Sequence, residues 1–209
     1  GSALEYALNE GKSLMTGRQM GLAERPAETF RTFEEVEAAF YRQFDFLCRH
    51  AVIMTLEAQR LHQEMVPRPF LSSCIEHCME SGRDLSQGGA KYTIGPVITG
   101  IGLAVVANSL AAVKKLVFGD GVCTMAELAA ALRANWEGYE ALYAYVNSDR
   151  VHHYGNDDDY ADELTKFAMD SWCRHIEKRP NPHGGKYSPG VYSVTVNVTH
   201  GQNQWAPAD

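Results

Sequence analysis

The run Val191-Tyr192-Ser193-Val194-Thr195-Val196-Asn197-Val198-Thr199 decides how the rest of the chain is read. β-Branched residues dominate it. Its alternation sets Tyr192, Val194, Val196 and Val198 on one face and Val191, Ser193, Thr195 and Asn197 on the other, which is the period of two of a strand. It is the one convincing strand signal in the sequence, and one strand cannot make a sheet. No second stretch offers an equally clear partner. The expectation is a mainly α chain with minor β, in which a strand-bearing tail over 187–209 follows a helical part over 3–178.

Upstream of that strand the signals are helical. Asn156 can cap a helix over about 157–178, with Asp157, Asp158 and Asp159 at its positive dipole end. Thr124 and Glu127 have capping-box spacing and open a helix reaching about Trp136, while Leu103 to Phe118 also reads as helix. Before it, Gly88, Gly89, Gly95, Gly100 and Gly102 imply backbone in unusual conformations or packed very closely. Phe70 to Ser81 reads as one helix closed by Gly82. The longest element opens at Thr32, again with a glutamate (Glu35) at capping-box spacing. It carries Val36, Phe40, Phe44, Leu47, Ala51 and Met54 at steps of three and four, until Pro67 and Pro69 stop it. A short helix over Leu4 to Asn9 ends at Gly11, and Gly1-Ser2 reads as a cleavage scar.

Composition narrows the function classes. The chain has 209 residues, 45% hydrophobic and 22% charged, which is globular rather than disordered composition. Its formal net charge of −7 argues against a nucleic-acid partner, and no apolar run of membrane-spanning length occurs. The five cysteines, Cys48, Cys74, Cys78, Cys123 and Cys173, are odd in number and lack CxxC spacing, the pattern of reduced thiols in the cytoplasm.

Several tempting motifs read better as structure than as chemistry. Gly100-Ile101-Gly102 lacks the third glycine of a dinucleotide fingerprint. Three consecutive aspartates at a helix start point in different directions, so dipole complementarity explains them better than a metal. His152 and His153 read as loop residues. Cys74, His77 and Cys78 share one side of the expected helix but lack a fourth zinc ligand, and Cys74-Ile75-Glu76 sits inside that helix rather than at an exposed loop tip. No catalytic, cofactor-binding or metal-ligating residue is assigned.

Seven stretches in one order carry a resemblance. They are Leu4-Glu5-Tyr6-Ala7-Leu8-Asn9-Glu10-Gly11, Leu14-Met15-Thr16-Gly17, Pro69-Phe70-Leu71-Ser72-Ser73, Gly88-Gly89-Ala90-Lys91-Tyr92, Asn108 to Phe118, Tyr154 to Asp162, and Pro189-Gly190-Val191-Tyr192-Ser193-Val194 leading to Asn197-Val198. Together they resemble the glycyl radical enzymes of the pyruvate formate-lyase-like family. The resemblance implies an internal fragment (3–209) of a much longer enzyme, built on a ten-stranded α/β barrel with helices wrapped around it. In that family one loop carries a catalytic cysteine, in a Gly-Cys-Val-Glu context in dehydratase-like members. Another carries the radical glycine, in an Arg-Val-x-Gly-Tyr context, and a radical-SAM activating enzyme installs the radical. Neither context occurs here.

The resemblance therefore implies a chain inactive by itself, from a parent lyase, dehydratase, decarboxylase or formate acetyltransferase-like enzyme acting on a small molecule. It implies substrate-binding residues on the strand: Tyr192 first, where dehydratase-like members place a substrate-facing tyrosine, then Ser193, Val194 and Asn197. Tyr92-Thr93-Ile94-Gly95-Pro96 departs from the Tyr-Asn-Phe-Thr-Gly of dehydratase-like members, which leaves subfamily and substrate open. The bare strand edge invites self-association. The alternative reading is a free-standing, non-catalytic helical binding or scaffold domain.

Overall fold

The computed structural model describes residues 1–92, 96–183 and 185–192. Its helices are α1 (Ser2–Leu8), α2 (Phe33–Met65), α3 (Pro69–Ser73), α4 (Cys78–Ser81), α5 (Leu103–Val113), α6 (Met125–Arg133), α7 (Glu140–Val146) and α8 (Asp159–Glu177), and its strands are β1 (Val97–Ile101) and β2 (Ser188–Tyr192). Two compact units share the chain, one from 1–47, 101–171 and 191–209 and the other from 48–100 and 172–190.

The first unit owes its core to amphipathic helices that cannot hide an apolar face alone. Val36 and Phe40 of α2, Leu110 and Ala111 of α5, Leu128 of α6 and Leu164 of α8 form one buried cluster. Phe40 stacks on Phe44 with ring centroids 5.5 Å apart and tilts against Phe167 at 6.3 Å. Each such aromatic or leucine contributes about 1.5–3 kcal/mol by leaving water. The expected capping box at Thr124 is present in full, the Glu127 N–H donating to the threonine hydroxyl and the Thr124 N–H to the glutamate.

A loop after α1 is tied to α2 by one buried amide. Gln43, fully buried, accepts the Leu22 N–H at 2.9 Å and donates to the Leu22 carbonyl at 2.8 Å. Gly11, at φ +81°, makes the turn ahead of that loop, and a side chain there would collide with the same Leu22 carbonyl.

The second unit holds the end of α2, the short helices α3 and α4 and most of the two-stranded β1–β2 sheet. Asp84 closes its loops. Its carboxylate accepts from Ser86 N (2.9 Å), Ser86 Oγ (2.6 Å), Ser72 Oγ (2.8 Å) and Arg68 N (2.8 Å). The Ser86 bonds foremost hold its pKa at about 2, because every donor stabilises the charged form.

Four expectations change. The described strand β2 shares only Val191 and Tyr192 with the expected run, whose remaining residues 193–199 lie outside the described residues, and β2 has a partner within the chain: residues 97–101, hidden by Pro96 and Gly100, form β1. The single helix over Phe70 to Ser81 is broken, because His77 turns left-handed at φ +79° between α3 and α4. Cys74 is consequently exposed and Cys78 buried, so they do not share a helix face. The apolar stripe of α2 drifts past Leu47, with Cys48 and Val52 buried while Met54 is 73% exposed. Asp158, not Asn156, caps α8, accepting the Tyr160 N–H at 2.9 Å. α7 was not legible at all, lying between Gly138 and a polar loop.

Candidate functional site

The strand expected to meet substrate is held from beneath by a tryptophan. Trp172, in the last turns of α8, donates its indole N–H to the Gly190 carbonyl of β2 at 3.0 Å. Its ring also lies against Gly100 of β1, where a Cβ would stand 3.1 Å from the indole. On the other strand, a Cβ at Gly190 would stand 2.6 Å from Val97 Cγ1. Both glycines answer close approach rather than backbone dihedral: a side chain at Gly190 would collide with Val97, and one at Gly100 would push the indole back by a few tenths of an ångström.

Tyr192 lies two residues beyond that anchor, at the end of β2. It is 62% exposed, and its hydroxyl makes no hydrogen bond among the described residues. A phenol on an anchored strand, with hydroxyl uncommitted, is suited to donate to a ligand oxygen. Ser193, Val194 and Asn197 lie outside the described residues.

Other groups considered in the sequence are brought to different places. His152 is more than a loop residue: its Nδ1 pairs with Asp158 Oδ2, its ring lies 4.8 Å from that of Tyr160, and the pairing depresses the Asp158 carboxyl. Oδ1 caps α8 and Oδ2 pairs with His152, so both oxygens of Asp158 serve the start of that helix. Glu76 salt-bridges Lys91 at 2.6 Å instead of attending Cys74. Burial pushes the Cys78 and Cys123 thiols up, away from the thiolate form. Gly102, at φ +81°, only starts α5, so the strand–glycine–helix passage at 97–103 is a chain turn without a glycine-rich loop.

Sequence reasoning missed Trp172 and the His152–Asp158 pair. The first had no local signal, because Gly100 and Gly190 stand inside two strands remote from each other in sequence. The second had a signal in the six-residue spacing only in hindsight, because no periodicity links a loop histidine to a cap.

Comparison with known proteins follows the same strand and helices. A family model described as pyruvate formate lyase-like matches residues 1–201. The chain is 45% identical over 206 residues to (2S)-3-sulfopropanediol dehydratase of Klebsiella oxytoca, covering 99% of this chain and 25% of that protein. It superposes on the glycerol-bound form of the B12-independent glycerol dehydratase from Clostridium butyricum with a TM-score of 0.88 and 31% identity, over 96% of this chain and 25% of the other. It is likewise similar to a glycyl radical enzyme from Archaeoglobus fulgidus, with a TM-score of 0.85 and 34% identity, over 94% of this chain and 24% of the other. The chain thus spans about a quarter of the length of the relatives it matches.

Proposed function

The chain belongs to the pyruvate formate lyase-like family, and on that premise we propose that it is an internal part of a glycyl radical dehydratase acting on a small vicinal diol. The observation that carries this reading is similarity along almost the whole chain, in sequence and in fold, to two enzymes that dehydrate small polyols. In such an enzyme a glycyl radical, installed by a radical-SAM activating enzyme, supplies the hydrogen abstraction through a cysteine.

What this chain supplies is one wall of the site. Tyr192 donates a hydrogen bond to a substrate hydroxyl and holds that oxygen in place while the neighbouring C–O bond breaks. In the sequence alternation Val194 shares the face of Tyr192 and is proposed as an apolar part of the wall, whereas Ser193 and Asn197 fall on the opposite face, away from a ligand held by Tyr192. Trp172, by its bond to Gly190, holds the part of β2 that leads into Tyr192. None of the five cysteines stands in the catalytic context, so the 209-residue chain by itself is proposed to be inactive. Its location is proposed to be cytoplasmic, in keeping with the five free thiols.

Two measurements test this. Reading the gene outward should reveal a Gly-Cys-Val-Glu stretch before residue 1 and an Arg-Val-x-Gly-Tyr stretch after residue 209. Their absence would overturn the dehydratase reading in favour of a non-catalytic domain. In the activated full-length enzyme, Tyr192→Phe should lower kcat on a 1,2-diol by about tenfold, as the loss of one substrate hydrogen bond demands. Unchanged turnover would remove Tyr192 from the site.

A further inference from the structure

The second unit contains a cavity of about 330 Å³, walled by the end of α2, the 85–92 segment and His183. That volume suits a small organic molecule. No lining residue among the described residues is acidic, although the whole chain carries a net charge of −7. The polar side chains of the cavity wall can all donate a hydrogen bond.

Arg68, an exposed side chain, is the one permanently charged residue in that wall among the described residues. Asp84 takes the Arg68 main-chain N–H and spends its other contacts on Ser72 and Ser86 rather than on the Arg68 guanidinium. Among the described residues it makes no ion pair, whereas Arg60, a few residues earlier, is held between Glu57 and Glu64. Gln59 is oriented from below. The buried Tyr187 hydroxyl donates to its Oε1 at 2.8 Å, which leaves the amide NH₂ as its remaining group.

His183 is positioned on both sides. The Gln63 amide nitrogen lies 2.8 Å from its Nε2 and can only donate, so the pairing assigns the ring hydrogen to Nδ1. The ring rests on Gly88, where φ is +76° and an added Cβ would lie 3.0 Å from Nδ1. This explains one of the glycines singled out in the sequence: a side chain at 88 would displace His183 from the wall. His62 and Tyr92 complete the polar rim, and Val66 and Leu85 add apolar surface.

We propose that this cavity binds a small organic oxyanion, a phosphate, sulfonate or carboxylate, with Arg68 as its charged anchor and Gln59, His62 and Tyr92 as further donors. A cation would find no carboxylate to receive it. A neutral ligand would leave the guanidinium unanswered, whereas a planar or tetrahedral oxyanion accepts two guanidinium N–H groups at once. The proposal uses no residue of the Tyr192 strand, so it stands or falls separately from the dehydratase reading.

The test is titration of the 209-residue chain with inorganic phosphate, methanesulfonate and acetate at constant ionic strength, followed through the imidazole NMR signals of His62 and His183. At least one probe should shift both signals saturably, and the probe that saturates first names the oxyanion class. Arg68→Gln should weaken that binding by about tenfold or more, the loss expected for one charge-assisted pair. Arg60→Gln should leave it unchanged. His62→Asn, at an exposed position, provides a second variant whose binding should also fall should Arg68→Gln fail to fold. No saturation by any probe would overturn the proposal. Equal weakening by Arg68→Gln and Arg60→Gln would also overturn it, because diffuse attraction to a basic surface would then account for the shifts.

Discussion

Replacing Gly190 by alanine tests the packing that aims the end of β2. The added Cβ would stand 2.6 Å from Val97 Cγ1 and 3.4 Å from Thr99 Oγ1. Carbon atoms in contact settle at about 3.5–4.0 Å, so the first approach is short by about 1 Å and only the second is ordinary. Val97 is β-branched and stiff at χ1, so it cannot swing aside as a lysine would. Either it leaves its rotamer or the two strands part, an overpacking cost of about 1–3 kcal/mol. The alanine also restricts the unfolded chain, which returns about 0.4–1 kcal/mol. A net loss of about 0.5–2 kcal/mol is expected. Val97 is 58% exposed, so Val97→Ala alone should change stability by only about 0.5 kcal/mol. With Cγ1 gone the clash disappears, and the double variant should recover about 1–2 kcal/mol relative to the sum of the singles. Urea unfolding of all four proteins measures this from midpoints at constant slope. The reasoning fails if Gly190→Ala unfolds at the wild-type midpoint, or if the two losses simply add.

Three further outcomes are expected. Gln43→Leu should destabilise by about 2–4 kcal/mol, since it strands the N–H and C=O of Leu22 without partners; thermal unfolding within about 0.5 kcal/mol of wild type would contradict that. Thr124→Ala should cost about 1 kcal/mol through the capping box of α6, visible as a lower urea midpoint, while Thr124→Ser should cost far less. Asp84 has its pKa depressed to about 2, so its contribution is present above the ordinary carboxylate range and is lost as pH falls from about 5 toward 2. The stability gap between wild type and Asp84→Asn should therefore be widest at neutral pH and close on acidification, and a gap that stays constant to pH 2 would refute the assignment.

Where one interaction dominates locally, the sequence could be read directly. Thr124-Met125-Ala126-Glu127 contains both halves of its cap within four residues, and the structure forms it. Val36 and Phe40 are spaced for one face and are buried on it. Legibility failed where the deciding partner is remote. Nothing near His77 announces a left-handed residue in an otherwise helical pattern, and the break becomes intelligible only once Asp84 is seen gathering Arg68, Ser72 and Ser86. The α2 stripe drifted for a related reason: its residues up to Leu47 and those from Cys48 onward belong to different compact units, and no single face serves both.

The strand pair shows the same division at the candidate site. Pro96 and Gly100 lower the strand propensity of 97–101 enough to conceal it, yet Gly100 is there because Trp172 occupies the space a side chain would need. The residue that weakens the local signal is the one that allows the tertiary contact. Gly190 does the same on β2, against Val97. Tyr192 was reachable only through the family resemblance, because an alternating run of valines marks a strand but not which of its residues meets a ligand. Tyr192 is exposed, and its hydroxyl makes no hydrogen bond among the described residues, the state that the proposed ligand contact requires. A tyrosine kept for packing would instead have been buried with its hydroxyl bonded, as Tyr187 is to Gln59. These two tyrosines, five residues apart on one segment, differ in burial and in hydroxyl pairing among the described residues, and Tyr192→Phe in the full-length enzyme decides whether that difference serves a ligand.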